Sequence, residues 1–240
     1  ANKHNLLILE DCAQSFGAKY VGSCKTCDGK CEASKFKGRY TGTIGHAGAF
    51  SFFPSKNLGA YGDAGMLTTN DDNIAEMARK LRSHGSIKKY HNEMIGYNSR
   101  LDTIQAAILR VKLPRVAAWN EARRAVALCY NHLLKDVNGI ITPEISDGHV
   151  FHQYSLQILG YSRDQLQDGL KKQGVDSMVY YPIPQDQLPI YLGRYKLLKQ
   201  SNKAAESVIS LPIYPEISTQ QQEYIVNSLQ NHLKYKDATR

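Results

Sequence analysis

The sequence predicts an α/β fold: a large α/β domain with a sheet over residues 1–136, then a small α+β domain over residues 137–240. Three observations predict it. Short apolar runs of strand length, Leu6–Leu9 and Ala49–Phe53, end in chemistry-bearing residues and turns. Apolar residues then recur at helical spacing through residues 71–134. After Asn138-Gly139, a turn signal, the pattern changes to short strands and helices.

The elements follow in chain order. Leu6–Glu10 is wholly apolar up to its carboxylate, which fits a strand buried on both faces. Ala18–Val21 is a second, weaker strand candidate. Ala47–Phe52 and Gly65–Thr69 read as strands flanking a Gly-rich turn. Asp71-Asp72 can cap a helix carrying Ile74, Met77, Ala78 and Leu81, stopped by Gly85. Residues 99–113 place Leu101, Ile104, Ala107, Ile108 and Val111 at helical spacing. Pro114 interrupts, and a second helix is predicted from Arg115 to Leu134, with a core stripe of Val116, Trp119, Ala122, Val126 and Cys129. In the smaller domain Gln153–Leu159 alternates as a strand. Ser162–Gly174 is a helix with a Ser cap and a Gly stop, and Val175–Tyr181 returns as strand to Pro182-Ile183-Pro184. Residues 184–200 read as irregular, a last helix spans Thr219 to about Lys234, and the tail Tyr235–Arg240 is expected to be loose.

The turn between the second and third strands holds the most chemistry. Phe53-Pro54-Ser55-Lys56-Asn57-Leu58-Gly59-Ala60-Tyr61-Gly62 presents one lysine among glycines that let backbone approach a ligand. A desolvated lysine amine can be neutral near physiological pH and condense with a carbonyl. The competing reading is an ordinary solvated lysine in a surface turn. Asp11 falls at the carboxyl end of the first strand, where ligands bind in such sheets. An aspartate there can hold the protonated nitrogen of a pyridine cofactor, or simply cap a helix.

The ordered set of segments resembles one family. Glu10-Asp11-Cys12-Ala13-Gln14-Ser15, then Gly48 to Asp63, then Leu81-Arg82-Ser83-His84-Gly85, then Ile95 to Asp102, then Tyr180-Tyr181-Pro182-Ile183-Pro184 are similar to the DegT/DnrJ/EryC1/StrS sugar aminotransferases. The resemblance implies a pyridoxal 5'-phosphate (PLP) enzyme with the aspartate aminotransferase-like fold: the later part of the large α/β domain, with a mixed sheet, plus the small C-terminal domain. It implies amino transfer from an amino acid, glutamate in such relatives, to a nucleotide-linked keto sugar. It also implies a homodimer with shared sites and a cytoplasmic setting.

Site residues carry over one by one, as implications of the resemblance. Lys56 resembles the lysine that condenses with the cofactor aldehyde and later moves the proton. Asp11 resembles the carboxylate that keeps the ring nitrogen protonated. Gln14 is similar to the amide beside the ring, and Ser51 to a phosphate-binding hydroxyl. Asn98 resembles the residue that reaches the phosphate of the neighbouring subunit. Arg100, His152 and Tyr181 stand where relatives contact substrate. Relatives that dehydrate sugars carry His at the lysine position, so Lys56 favours transamination. Relatives also have a long stretch before the Asp11 strand, with a Gly-Thr turn for the phosphate. The chain is expected to lack that N-terminal part.

Composition bounds the alternatives. Hydrophobic residues are 42% and charged residues 22%, in the range of globular proteins. No apolar run reaches the ~20 residues that span a bilayer, so no membrane partner is predicted. The formal charge of +8 suits anionic ligands such as nucleotide diphosphates. Its basic residues are scattered, as at Lys88-Lys89 and Lys171-Lys172, so nucleic acid is not the expected partner. Cys24, Cys27 and Cys31 form C-x2-C-x3-C inside an insertion at about residues 23–43. Such thiolates can bind zinc or an iron–sulfur cluster, with His46 or Cys12 as candidate fourth ligands; a loop of reduced thiols is the reading preferred here. Two other functions stay open on the sequence: a regulatory or inactive homologue that binds ligand without turnover, and a metal or nucleic-acid module built on the Cys loop.

Overall fold

The computed structural model describes residues 1–22 and 32–237. The chain forms two compact units. The first comprises Ala1–Glu121 with Ser146–His152, and the second Ala122–Ile145 with Gln153–Arg240. Cys24, Cys27 and Cys31 lie outside the described residues. Among the described residues no group of three or more His, Cys, Asp or Glu could hold a metal ion. His46 Nδ1 accepts from the Ile8 amide at 2.9 Å, and Cys12 is buried, its thiol pushed up by burial.

The first unit is built on a three-stranded mixed sheet in the order β1-β2-β3: Leu9–Asp11, Ala47–Ser51 and Gly65–Thr69. β1 runs parallel to β2 and pairs Asp11 with Ala49; β3 runs antiparallel to β2 and pairs Gly65 with Ser51. The first strand corrects the sequence reading. It starts at Leu9 rather than Leu6, and it lies at the sheet edge. Leu6, Leu7, Ile8 and Leu9 are all exposed, so the run is not covered on both faces among the described residues. Among the described residues Ala18–Val21 makes a single bridge, Lys19 to Tyr40, instead of a strand.

Strand alternation gives the sheet two faces. Glu10, Gly48, Phe50 and Thr68 share one of them, and residues 42–45 pack on it. The Glu10 carboxylate accepts the backbone N–H groups of Gly42, Ile44 and Gly45 at 2.8, 2.8 and 2.6 Å. Thr68 Oγ1 donates to the Gly42 carbonyl at 2.7 Å. A Cβ on Gly48 would stand 2.4 Å from the Gly42 Cα, so only glycine admits this approach. Phe50 continues toward a core of Phe52, Leu58, Ala60, Leu109 and Val116, with Phe16 packed edge-on at 5.6 Å from both Phe50 and Phe52.

Helix α1 (Asp72–Leu81) is capped as expected by Asp71, whose carboxylate accepts from Asn73 N and Ile74 N. α2 spans Thr103–Lys112. Pro114 turns the chain through a short 3-10 segment, and α3 runs Val116–Leu133. Within the predicted α3 stripe Val116 and Val126 are buried; Cys129 is only half-buried, and Ala127 and Tyr130 are fully buried beside it.

The second unit carries an antiparallel sheet, β4-β5-β6, formed by Ile140–Ile141, Tyr154–Ile158 and Val208–Leu211. α4 (Arg163–Lys172), capped by Ser162, packs with α6 (Thr219–Asp237), and Leu156, Leu166, Leu170, Ile209 and Leu229 are fully buried. Tyr130 and Tyr154 are also fully buried. Their hydroxyls donate to Pro212 O at 2.9 Å and Asn131 Oδ1 at 2.6 Å, and burial pushes both phenols up. Three sequence expectations are corrected. Val175–Tyr181 makes only a bridge, Met178 to Ser210, because its next residues turn away at Pro182. α5 (Lys199–Ser207) and β6, which was not expected, follow the irregular segment, itself holding short 3-10 turns at Gln185–Gln187 and Pro189–Tyr191. α6 stays helical through Asp237, so residues 235–237 are not a loose tail; residues 238–240 lie outside the described residues.

Burial alone would raise the Glu10 carboxyl, but its three backbone donors, with Arg39 nearby, hold it below the ordinary carboxylate value. A depressed folded-state value stabilises the fold at pH above the unfolded value, and that contribution is lost as pH falls through the folded one. Glu10→Gln should therefore melt lower than the parent near pH 7, by about 1–2 kcal/mol. The gap should close as melts are repeated at pH well below the carboxylate range. A gap that stays constant with pH would contradict the charged clamp.

Candidate functional site

The sheet face opposite Glu10 carries Leu9, Asp11, Ala49, Ser51 and Leu67, by the register of the two pairings. It is the more open face: Asp11 and Leu67 are exposed, and Ala49 and Ser51 are half-buried. Asp11 and Ser51 thus stand at the carboxyl ends of adjacent parallel strands with only the methyl of Ala49 across from the carboxylate. Asp11 Oδ1 accepts from Ala13 N at 3.1 Å, which turns the chain after the strand; Gln14 follows, exposed. Ser51 Oγ accepts from Phe53 N at 3.3 Å and starts the turn toward Lys56.

That turn is closed at its base and pinned along its length. Phe52 N donates to Ala64 O and Ala60 N to Phe52 O, each at 2.8 Å; Lys56 N donates to Phe53 O at 2.9 Å. A Cβ on Gly59 would come 2.3 Å from the Pro54 carbonyl oxygen, so the turn folds tightly on itself. Two residues of α2 hold its far limb. Lys112 Nζ donates to Gly59 O at 2.6 Å, and Gln105 Oε1 accepts from Tyr61 N at 2.8 Å. The strongest anchor is the neighbour of Lys56. Asn57 is buried, and its amide donates to Asn120 Oδ1 at 2.7 Å and to Val150 O at 2.9 Å; its Oδ1 meets His152 Nδ1 at 3.2 Å. Asn120 in turn donates to Phe16 O at 3.1 Å. Lys56 itself is half-buried.

The other residues read from the sequence stand as follows. Asn98 is exposed and bridges antiparallel to Ser83; the neighbouring Ser99 N donates to Arg82 O at 2.9 Å. Arg100 is exposed. Among the described residues no hydrogen bond or ion pair joins either of them to Asp11, Ser51 or Lys56. Tyr181 lies in the second unit, 65% exposed. A cavity of about 790 Å³ opens on the Phe50 side of the sheet, lined by Phe16, Thr41, Phe50, Val116, Asn120 and Gly148 among others; Asp11, Ser51 and Lys56 are not part of it. The sequence reading missed Asn57 and Asn120 as anchors. One signal existed: Asn120 is a polar residue four positions after the buried Val116, on the inward stripe of α3.

Comparison with known proteins adds four findings. The model of the DegT/DnrJ/EryC1/StrS aminotransferase family matches residues 1–230. The chain is 46% identical over 237 residues to the "Pleiotropic regulatory protein" of Geobacillus stearothermophilus, covering 95% of this chain and 59% of that one. It is 40% identical over 224 residues to the UDP-N-acetyl-3-dehydro-alpha-D-glucosamine 3-aminotransferase of Acidithiobacillus ferrooxidans, covering 92% and 56%. In fold it matches the crystal structure of S. venezuelae DesV in complex with a ketimine intermediate, at a TM-score of 0.82 and 35% identity over 96% of this chain and 59% of that one. The chain thus spans less than two thirds of the length of these relatives.

Gly59→Ala tests the pinned turn. The added methyl must displace backbone rather than a flexible side chain, so a loss of about 1–3 kcal/mol in stability is expected. Thermal denaturation reads it. A variant as stable as the parent would mean the turn has room to open.

Proposed function

The chain belongs to the DegT/DnrJ/EryC1/StrS aminotransferase family, and we propose that it contributes the lysine-bearing part of a PLP-dependent sugar aminotransferase. The amino group moves from an amino acid, glutamate, to a nucleotide-linked keto sugar in amino-sugar or polysaccharide biosynthesis, in the cytoplasm. One observation carries the reading. A carboxylate and a hydroxyl share the open sheet face at the carboxyl ends of β1 and β2, and the only lysine of the following turn stands on a backbone held from several sides.

The donor set fits the cofactor. Asp11 is an acceptor that favours a proton on a pyridine nitrogen, Ser51 offers a hydroxyl to a phosphate, and Lys56 offers a primary amine. Gln14 and Asn98 complete the cofactor set, Asn98 toward the phosphate of a neighbouring subunit. When bound, PLP supplies an electron sink for charge developing at the carbon that carries the amino group. Lys56 would hold the cofactor through its aldehyde and, once released, would move the proton that leaves the amino-bearing carbon of the substrate. Arg100, His152 and Tyr181 contact the substrates. Residues 1–136 form the cofactor domain and residues 137–240 the small domain.

A homodimer is part of this reading. Ile104 and Val111 lie one heptad apart on the outer face of α2, 72% and 75% exposed, and Ile95 nearby in sequence is 93% exposed. A second copy would cover this stripe. The name of the Geobacillus relative favours a second reading, a regulatory protein that binds ligand without turnover. Lys56 separates the two.

Borohydride added to the protein with PLP should leave a reduced adduct on Lys56, located by peptide mass. Lys56→Ala should give no adduct and lower sugar amination by on the order of 10³-fold or more, followed by product mass. Turnover unchanged in that variant would end the catalytic reading; an adduct without turnover on any keto sugar would favour the regulatory one. Ile104→Asp with Val111→Asp should sediment as a monomer where the parent sediments as a dimer.

A further inference from the structure

Two backbone carbonyls fix the orientation of every group in the Asn57 network. Val150 O can only accept, so the Asn57 atom 2.9 Å from it is the NH2 group. The same NH2 lies 2.7 Å from Asn120, whose facing atom must then be the oxygen. Phe16 O gives the same answer independently, because it too can only accept and lies 3.1 Å from the other Asn120 atom. Both Asn57 hydrogens are now committed, and its oxygen faces His152 Nδ1 at 3.2 Å. An amide oxygen has no hydrogen to give, so Nδ1 must carry one. Asn57 and Asn120 are 7% and 8% exposed, where an unmatched amide is costly.

We propose that Asn57 and Asn120 form a two-amide relay that sets the spacing between the loop after Asp11 and the turn carrying Lys56, and that fixes His152 with its hydrogen on Nδ1. The relay leaves Phe16, five residues beyond Asp11, crosses α3 through Asn120, and ends at the immediate neighbour of Lys56. It rests on the reading of Asp11 and Lys56 as cofactor residues. Asn57 and Asn120 are positioning residues: they hold two backbone segments at a fixed separation and touch no reacting atom. The Nδ1 hydrogen is present in both neutral and charged imidazole, so the contact to Asn57 survives titration of the ring.

The tautomer is tested without cofactor. Nitrogen-15 correlation spectra of the histidine rings, with His152 assigned by its loss in His152→Asn, should show a protonated Nδ1; an Nε2–H neutral ring would overturn the relay. Positioning is tested by PLP affinity, followed by fluorescence. Asn120→Ala and His152→Leu should each weaken binding roughly three- to tenfold, the effect of one lost buried hydrogen bond. His152→Asn keeps an N–H where Nδ1 stood and should recover most of that loss. Unchanged affinity in both Asn120→Ala and His152→Leu, with PLP still trapped on Lys56, would overturn the positioning role and leave the proposed function standing. Absence of the Lys56 adduct in the parent would instead remove the proposed function, and the ring spectrum would still decide the tautomer. Should Asn120→Ala fail to fold, the half-buried His152 pair carries the affinity test.

Discussion

A primary amide withdrawn from water has three demands, two hydrogens and an oxygen, and each must be met by protein. Asn57 meets all three with Asn120, Val150 and His152. Those partners come from two places remote from the turn in sequence, Asn120 and the segment holding Val150 and His152, so the turn cannot shift toward one without leaving the other. An unmet demand costs about 1–3 kcal/mol, a large share of what holds a domain folded. The buried amide adds to the backbone bonds that close the base of the turn and to the hold of Lys112 and Gln105 on its far limb, and it acts next to Lys56 itself.

The sheet below obeys a similar logic of division. Glu10 and Asp11 are adjacent carboxylates of one strand, and alternation sends them to opposite faces. Glu10 is consumed by structure: three backbone donors hold the 42–45 loop on it. Among the described residues Asp11 accepts only from the chain just after it, and it stands on the open face with Ser51. A one-residue slip of β1 would exchange them. Gly48 guards against that slip, since it alone permits the Gly42 backbone to lie against β2.

Much of this was readable from residue order because the signals are local. Gly65–Thr69, the Asp71 cap, the break at Pro114 and the Ser162 cap each depend on a few neighbouring residues, and each appears where the pattern put it. The failures are non-local. Leu6–Ile8 has the composition of a buried strand, yet burial is a property of what packs against it, which apolar content does not encode. Val175–Tyr181 has strand-forming residues but gains only the Met178–Ser210 bridge, since the chain bends at Tyr180 and turns away at Pro182. For the candidate site, Asp11, Ser51 and Lys56 could be nominated by residue type and order, and the strand register sets Asp11 and Ser51 on one face. Asn57 and Asn120 could not be, since their role exists only once residues 16, 57, 120, 150 and 152 converge.

The division of labour between Lys56 and Asn57 has a physical reason. In the proposed chemistry the amine must bind a carbon, leave it and carry a proton, so its four-carbon stem needs freedom. The Cα from which it swings must stay put, because small displacements of a reacting group are expensive in rate. Anchoring the lysine through its own side chain would satisfy the second need by defeating the first. Anchoring the next residue instead fixes the Cα and leaves the stem loose. A buried asparagine suits that place: it is short, uncharged, and offers donors and an acceptor in one rigid plane, so a single residue can reach several segments at once. Leucine there would fill the volume but tie the turn to nothing in particular, and aspartate would set its oxygens against the Val150 carbonyl and Asn120 Oδ1.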